Sequence, residues 1–171
     1  RLAAVSHFQL LGGARSVNHA FRLSEGDSVC VCLPIHRGAL LPLLCFSPFL
    51  SRCTLIFPDA EPLPAKVFQC ISYYNLSVLL SNGAALRLLL KIYQRTHTPL
   101  HSLLKILLIG ERVSPELRTS IRRSCPHIQL IAVGYLLSET ASIPIMGDES
   151  ININKLVGRT ITGFNVSVQR L

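Results

Sequence analysis

The sequence predicts an α/β fold: a layered, parallel-rich sheet with helices on both faces. Short apolar segments alternate with segments of helical spacing four times between residues 28 and 133, which is typical of βαβ units. The apolar segments contain few polar residues, as do strands that are covered on both faces. At 171 residues, 49% of them hydrophobic, the chain is long enough for one domain with its own core.

Local signals set the first three elements. Ser6 suits the N-cap of a helix over His7–Phe21, where the apolar residues have helical spacing. The apolar run Ser28–Leu33 predicts a strand, which Pro34 stops. The segment Arg37–Ser51 has the composition of a helix that is mostly buried.

The middle of the chain repeats this alternation. Cys53–Phe57 predicts a short strand, which Pro58 ends, and Asp59–Pro64 has loop composition. A proline suits the first position of a helix, so we predict a helix over Ala65–Tyr74. Leu76–Leu80 then predicts the third strand.

Two further helices and two strands complete the alternating part. Gly83–Gln94 has helical spacing, and Lys105–Ile109 is an apolar run that predicts a strand. Ser114-Pro115-Glu116 presents a cap, a proline and an acidic first turn in the order that opens a helix. That helix is predicted to end near Cys125-Pro126, and Ile128–Val133 is the next predicted strand.

The pattern changes beyond Ser142. Short strands are predicted at Ile143–Met146 and Phe164–Val168, with no helix between them. We therefore divide the chain into an alternating portion, residues 1–142, and the start of a β-rich portion, residues 143–171. The chain opens on Arg1 and closes in strand-like sequence at Leu171, so we expect it to be an interior piece of a larger protein.

Composition limits the partners and the compartment. The net charge is +8, but the basic residues are scattered with little aromatic interleaving, which disfavours nucleic-acid binding. The six cysteines lie in apolar runs without a C-x-x-C pair, which indicates reduced thiols in an intracellular protein. Cytosol, peroxisome and mitochondrion all stay open. Prolines and Arg52 interrupt the apolar segment Ala39–Phe57, so no transmembrane span is predicted, although peripheral contact with a membrane stays open.

Three polar segments follow predicted strands, where ligands bind in open α/β sheets: Pro34–Gly38, Gly110-Glu111-Arg112 and Gly134–Glu139. In the third, an aromatic ring at Tyr135 suits a purine, and the neighbouring hydroxyl and carboxylate suit phosphate and Mg²⁺. A strand end followed by an ordinary polar turn is the simpler interpretation, and it stays open here.

In order and spacing, five segments resemble the adenylate-forming superfamily, which includes acyl-CoA synthetases, coumarate-CoA ligase-like enzymes, luciferases and peptide-synthetase adenylation domains. The strongest, Gly134–Thr140, is similar to the family signature Gly-Tyr-Gly-x-Thr-Glu-Thr. The others are Val5-Ser6-His7, Leu33–Arg37, Leu108–Leu117, and Val157-Gly158-Arg159 with Gly163. The resemblance implies that residues 1–171 form part of the large N-terminal AMP-binding domain of such an enzyme, with its C-terminal domain absent.

The family couples a carboxylic acid to ATP with Mg²⁺, releases pyrophosphate and passes the acyl group to a thiol, usually that of coenzyme A. By this resemblance Ser138 would bind the α-phosphate and Glu139 would hold Mg²⁺, as the catalytic residues. Tyr135 would stack on adenine. The implied nucleotide-binding residues are Gly134, Tyr135, Gly110 and Glu111, of which the last two also border the acyl pocket.

Departures from the family pattern leave alternatives. Leu136 stands at a glycine position, Ser138 at a threonine, and Arg52 where a glycine is usual. An ungapped match puts Arg37 at the family's histidine position and His36 at its aromatic position; both remain candidates for the substrate pocket. The leading hypothesis is a piece of an acid–thiol ligase, inactive alone. A non-catalytic relative of the same fold and a peptide-synthetase adenylation domain are the competing interpretations.

Overall fold

The computed structural model describes residues 3–34, 40–59, 63–96, 100–149, 157–167 and 169. In these ranges the strands are β1 Ser28–Cys32, β2 Thr54–Ile56, β3 Val78–Ser81, β4 Lys105–Ile109, β5 Leu130–Leu137, β6 Ser142–Gly147 and β7 Arg159–Thr160. The α-helices are α1 His7–Phe21, α2 Ser47–Ser51, α3 Pro64–Tyr74, α4 Gly83–Thr96 and α5 Pro115–Ser124, and a π-helical turn spans Pro42–Phe46.

All seven strands join one sheet in the order β2-β1-β3-β4-β5-β6-β7. From β2 to β5 every neighbouring pair is parallel, whereas β6 and β7 are antiparallel additions at one edge. The parallel pairs are connected by segments that contain helices, as the alternation in the sequence requires. The predicted α/β class and the parallel-rich sheet are therefore confirmed.

Each face of the sheet has its own apolar core. Cys30 and Cys32 of β1 face one core, which α3, α4 and α5 cover, while Val29 and Val31 face the other. The second core is covered by α1 and by residues 40–51. Because both faces are buried, the strands need apolar side chains at consecutive positions, which explains their unbroken apolar runs.

Burial also governs the chemistry of the core thiols. It raises the pKa of the Cys30 thiol to about 12 and that of Cys125 to about 11. Both groups therefore stay protonated at neutral pH and act as small apolar side chains. All six cysteines have free thiols.

The predicted helix starts have the expected caps. The Ser6 hydroxyl accepts a hydrogen bond from the Gln9 amide at 3.2 Å, and the Gln9 side chain accepts one from the Ser6 amide at 2.8 Å. The Ser114 hydroxyl accepts from the Leu117 amide at 3.3 Å, with Pro115 in the first turn. These bonds satisfy amide groups that have no partner inside the helix.

Three predicted elements need correction. β5 does not end at Val133 but continues to Leu137, because β6 pairs with its last residues. Residues 164–167 form no strand; β7 already pairs with β6, and Gly163, at φ 88°, turns the chain away. Residues 37–39 of the predicted helix Arg37–Ser51 lie outside the described residues. From residue 40 onward the segment is not one α-helix, because the π-helical turn precedes the short helix α2.

A close approach joins α1 to β6. Gly13 is buried against Ser142, whose hydroxyl donates to the Gly13 carbonyl at 3.2 Å. A Cβ atom at Gly13 would lie 2.7 Å from the Ser142 Cβ, well inside van der Waals contact. Glycine is therefore required at this contact if Ser142 and the backbone are to keep their places.

A network of charged and polar side chains lies at the amino-terminal edge of the sheet. The Lys105 ammonium donates to the Asp27 carboxylate at 2.7 Å and to the Arg22 carbonyl at 2.6 Å, and Ser77 donates to the same carboxylate at 3.0 Å. Burial alone would raise the pKa of Asp27, but hydrogen bonds from Lys105, Ser24 and Ser77 outweigh it and lower that pKa. The network ties the entrance of β1 to the start of β4 and the end of α1.

No helix in the described part of the chain has the length and apolar character needed to cross a bilayer.

Candidate functional site

A cleft of about 840 Å³ opens at the carboxyl edge of the parallel strands. The register brings the ends of β1, β3, β4 and the parallel part of β5 side by side, with Cys32 beside Ser81 and Ile109 beside Gly134. Segments from four strand ends therefore meet there. The lining residues are Leu33, Pro34, Leu40, Asn82, Ala84, Ile109–Val113, Arg118, Val133–Leu136 and Val157.

The segment after β4 forms one wall of this cleft. Gly110 has φ 98°, a conformation that favours glycine, and it turns the chain sharply at the strand end. Glu111 follows, and its carboxylate lies 3.7 Å from the Arg87 guanidinium. It also lies against Gly83, so closely that a Cβ atom there would clash with the carboxylate. Because glycine has no side chain, the start of α4 leaves room for the Glu111 carboxylate.

The Gly134–Leu136 segment also lines the cleft, and it lies inside β5 rather than after it. Gly134 pairs with Ile109 on one side and with Met146 on the other. A Cβ atom on Gly134 would lie 3.0 Å from Ile143 side-chain atoms, so the packing of β6 favours glycine. Tyr135 lines the cleft and is 48% exposed, so an aromatic residue at this position is partly open to solvent.

Leu136 lines the same cleft and also packs against the second core. Its side chain occupies volume that a glycine would leave empty. Together with Leu33, Leu40 and Ile109 it supplies the apolar part of the lining, while Asn82 and other residues supply polar groups. The cleft is therefore suited to a ligand with both an apolar and a polar part.

Ser138 and Glu139 lie in the turn between β5 and β6, outside the cleft lining. The turn is held by the Ala141 amide, which donates to the Ser138 carbonyl at 3.1 Å, and by the Thr140 hydroxyl, which donates to the Leu137 carbonyl at 3.1 Å. Both predicted side chains are exposed. Of this motif, Gly134, Tyr135 and Leu136 line the cleft.

The structure thus gathers Gly110, Glu111, Gly134 and Tyr135 around one cleft and leaves Ser138 and Glu139 on the adjoining turn. His36 and Arg37 lie outside the described residues. Within the described ranges no group of three or more His, Cys, Asp or Glu side chains is arranged to hold a metal ion.

Two polar cleft residues, Asn82 and Arg118, belong to none of the segments that the sequence analysis singled out. Asn82 accepts a hydrogen bond from the Ala85 amide at 2.8 Å and caps α4, and an asparagine before a helical segment indicates this role. Arg118 reaches the cleft from α5, and no local pattern in the sequence indicates that it belongs to a site. Val157, the first residue of the Val157-Gly158-Arg159 segment of the family resemblance, also lines the cleft.

Burial lowers the pKa of the Arg118 guanidinium, although the nearby Glu149 and Asp148 oppose that shift. One of its nitrogens, Nη1, donates to the Asp148 carbonyl at 3.4 Å. A buried cation in a cleft wall of this kind favours ligands that carry acceptor oxygens.

A ligand-sized cleft at the carboxyl edge of a mostly parallel sheet defines an α/β protein of the ligand-binding class. The family model described as AMP-binding enzyme matches residues 2–169, and the chain belongs to that family. No curated protein matches the sequence.

Solved structures share the fold at low identity. An O-succinylbenzoate coenzyme A synthetase from Bacillus subtilis, in complex with ATP and magnesium ion, superposes with TM-score 0.81 at 18% identity, covering 96% of this chain and 34% of its own. A long-chain-fatty-acid-CoA ligase from Archaeoglobus fulgidus gives TM-score 0.75 at 15% identity, covering 92% and 33%. The N-terminal domain of FACL13 from Mycobacterium tuberculosis gives 0.82 at 16%, covering 94% and 40%. The chain spans about a third of the length of such proteins.

Proposed function

We propose that this chain belongs to an ATP-dependent carboxylate-activating ligase. The acid attacks the α-phosphorus of ATP to form an acyl-adenylate and release pyrophosphate; the thiol of coenzyme A then takes the acyl group and releases AMP. The observation that supports this best is the meeting of Gly110-Glu111-Arg112 with Gly134-Tyr135-Leu136 around one cleft, in a chain of the AMP-binding enzyme family.

The half-exposed Tyr135 would stack on the adenine, with the backbone of Gly110 and Glu111, at the end of the neighbouring strand β4, bordering the base. Stacking needs an aromatic ring that a ligand can reach, and the partial exposure of Tyr135 supports this role. Gly134 would let Ile143 pack behind the base without pushing the strand into the cleft. The apolar part of the lining would take the hydrocarbon part of the acid.

Ser138 and Glu139 would act on the phosphates from the adjoining turn. Mg²⁺ is usually bound by one or two carboxylates together with substrate phosphates and water, so an exposed carboxylate near the cleft suits it. Glu139, exposed in this turn, is the residue that would hold the ion. When bound, the ion neutralises charge on the phosphates. His36 and Arg37 are proposed for the acid-binding side.

The proposal is tested by carboxylate-dependent exchange of pyrophosphate into ATP, measured on the full-length protein with a panel of fatty and aromatic acids. Exchange with one class of acid would establish adenylation and identify the substrate class together. A folded protein that shows no exchange with any acid would contradict the proposal.

The contact between Gly83 and Glu111 gives a test of one cleft wall. Replacing Gly83 with alanine would displace the flexible Glu111 carboxylate and its contact with Arg87, and it would also press on the Leu117 side chain. Because Gly83 is the first residue of α4, the gain in helix propensity is smaller than the value of about 1 kcal/mol for a helix interior. We expect unchanged or slightly higher stability and AMP binding weakened about fivefold, or about 1 kcal/mol. Calorimetric titration and urea unfolding measure the two effects.

The matched control is Gly12→Ala in α1, where no atom lies within 4 Å of the added methyl group. It should stabilise the fold without changing AMP affinity. Equal AMP affinity in Gly83→Ala and the wild type would show that Glu111 does not shape the nucleotide site.

A non-catalytic relative of the same fold is the second candidate, and the volume that Leu136 occupies in the cleft favours it. Under the proposed ligase function the wild type binds AMP, and Leu136→Gly changes that affinity by less than about tenfold, or about 1.4 kcal/mol. If the Leu136→Gly variant bound AMP and the wild type did not, the result would favour the non-catalytic relative. Leu136→Ala serves as the control, since it opens the cleft without adding glycine flexibility to the strand.

A further inference from the structure

Arg118 has an unusual position in the cleft wall. Its Nε and Nη2 atoms are buried, and neither has a hydrogen-bond partner among the described residues. Only Nη1 is engaged, through a long 3.4 Å bond to the Asp148 carbonyl. Each unpaired buried donor costs free energy, and more so on a charged group.

The nearby carboxylates do not relieve this shortage. Glu149 is held by Arg122, one helical turn further along α5, whose Nε donates to it at 2.8 Å and whose Nη2 also pairs with it. Asp148 and Glu149 attract the guanidinium electrostatically, but among the described residues neither accepts a hydrogen bond from Nε or Nη2. The guanidinium therefore has two donors available on one edge, while its residue borders a cleft large enough for a ligand.

Nε and one Nη atom of an arginine form a planar fork that matches two oxygens of a carboxylate or phosphate. We infer that Arg118 is a ligand-binding residue whose guanidinium pairs with two oxygens of one anionic group, a carboxylate or a phosphate, in the molecule that fills the cleft. Because both donors are buried in the ligand-free protein, this pairing requires the flexible side chain to turn into the cleft that it borders. The inference rests on the proposed function, which supplies ligands with both kinds of anion.

The test compares matched charged and neutral ligands by calorimetric titration: AMP against adenosine, octanoate against octanamide, and benzoate against benzamide. Arg118→Met keeps the length of the apolar stem but removes the donors. We expect this variant to weaken binding of either AMP or the two carboxylates by about tenfold or more. Binding of the matched neutral ligands should stay unchanged. Arg118→Lys keeps the charge but loses the fork, so its loss should be intermediate.

The control is Arg123→Met, which removes the same charge from an exposed position on the same helix and should change no affinity. A loss confined to AMP identifies a phosphate site, and a loss confined to the acids identifies a carboxylate site. The ligand-free melting temperature provides a second measurement. A purely structural arginine would lower it when replaced, whereas removal of two unpaired donors should leave it equal or higher.

Wild-type affinity for both AMP and the acids in Arg118→Met would overturn the inference while leaving the proposed function in place. A fall in the ligand-free melting temperature without any change in the charged-to-neutral affinity ratios would also overturn it, in favour of a structural role. A wild type that binds none of the six ligands would instead refute the proposed function, and the inference with it.

Discussion

Glu139→Ala is expected to lower carboxylate-dependent ATP–pyrophosphate exchange by about 10²- to 10³-fold while leaving the fold intact. The carboxylate lies exposed in the turn between β5 and β6, so its removal deletes no packing. The loss would come from the metal ion that it is proposed to hold beside the reacting phosphates. Exchange rates at saturating ATP and acid measure the effect, and a melting curve checks the fold.

Glu25→Ala is the matched control. Glu25 is also exposed and makes only a surface ion pair with Arg52, at 3.6 Å, near the opposite edge of the sheet. This variant should exchange at the wild-type rate. Full activity in Glu139→Ala would remove the proposed metal role from that residue, and raising the Mg²⁺ concentration should partly restore activity if the role is correct.

Lys105→Met should destabilise the chain by about 3 kcal/mol at pH 7. The variant leaves the Asp27 carboxylate buried without its ammonium partner and frees the Arg22 carbonyl at the end of α1. Urea unfolding of the wild type and the variant measures the difference. The double variant Asp27→Asn with Lys105→Met removes both charges and should recover part of the loss.

The same network predicts the pH dependence of stability. Because the pKa of Asp27 is lower in the folded than in the unfolded chain, its contribution is present above the unfolded value of about 3.9. It is lost as the pH falls through the folded value. The deficit of Lys105→Met should therefore shrink in acid, since the unpaired carboxyl then takes up a proton. A deficit that is constant from pH 7 to pH 3 would contradict this account.

The parallel part of the fold could be predicted because its signals are local. Proline residues stop β1 and β2, hydroxyl caps open α1 and α5, and apolar runs mark strands that are buried on both faces. The end of β5 could not be predicted in this way. Gly134 and the polar residues after it are typical of a turn, but pairing with β6 overrides that local preference. Residues 164–167 form no strand although their sequence is strand-like; the turn at Gly163, with φ 88°, separates them from β7.

The sequence predicts part of the cleft lining, where residues follow the strand ends; the roles of these residues stay predictions. Gly110, Glu111 and Tyr135 follow from the rule that ligands bind at the carboxyl edge of a parallel sheet. Arg118 was not predicted, since its sequence position on α5 resembles that of any solvated helical arginine. Only the three-dimensional contact with the cleft and the missing partners of its guanidinium distinguish it.

The contact between Gly13 and Ser142 has an evolutionary consequence. The two positions are 129 residues apart, yet a methyl group at the first would overlap the side chain at the second. We expect them to vary together among descendants of this gene: any side chain at position 13 should be accompanied by glycine at position 142, or by a displaced helix. β6 forms one arm of the hairpin that carries Glu139. A substitution at position 13 of α1 that shifts β6 would therefore also shift the Glu139 carboxylate, so we expect few substitutions to be accepted there.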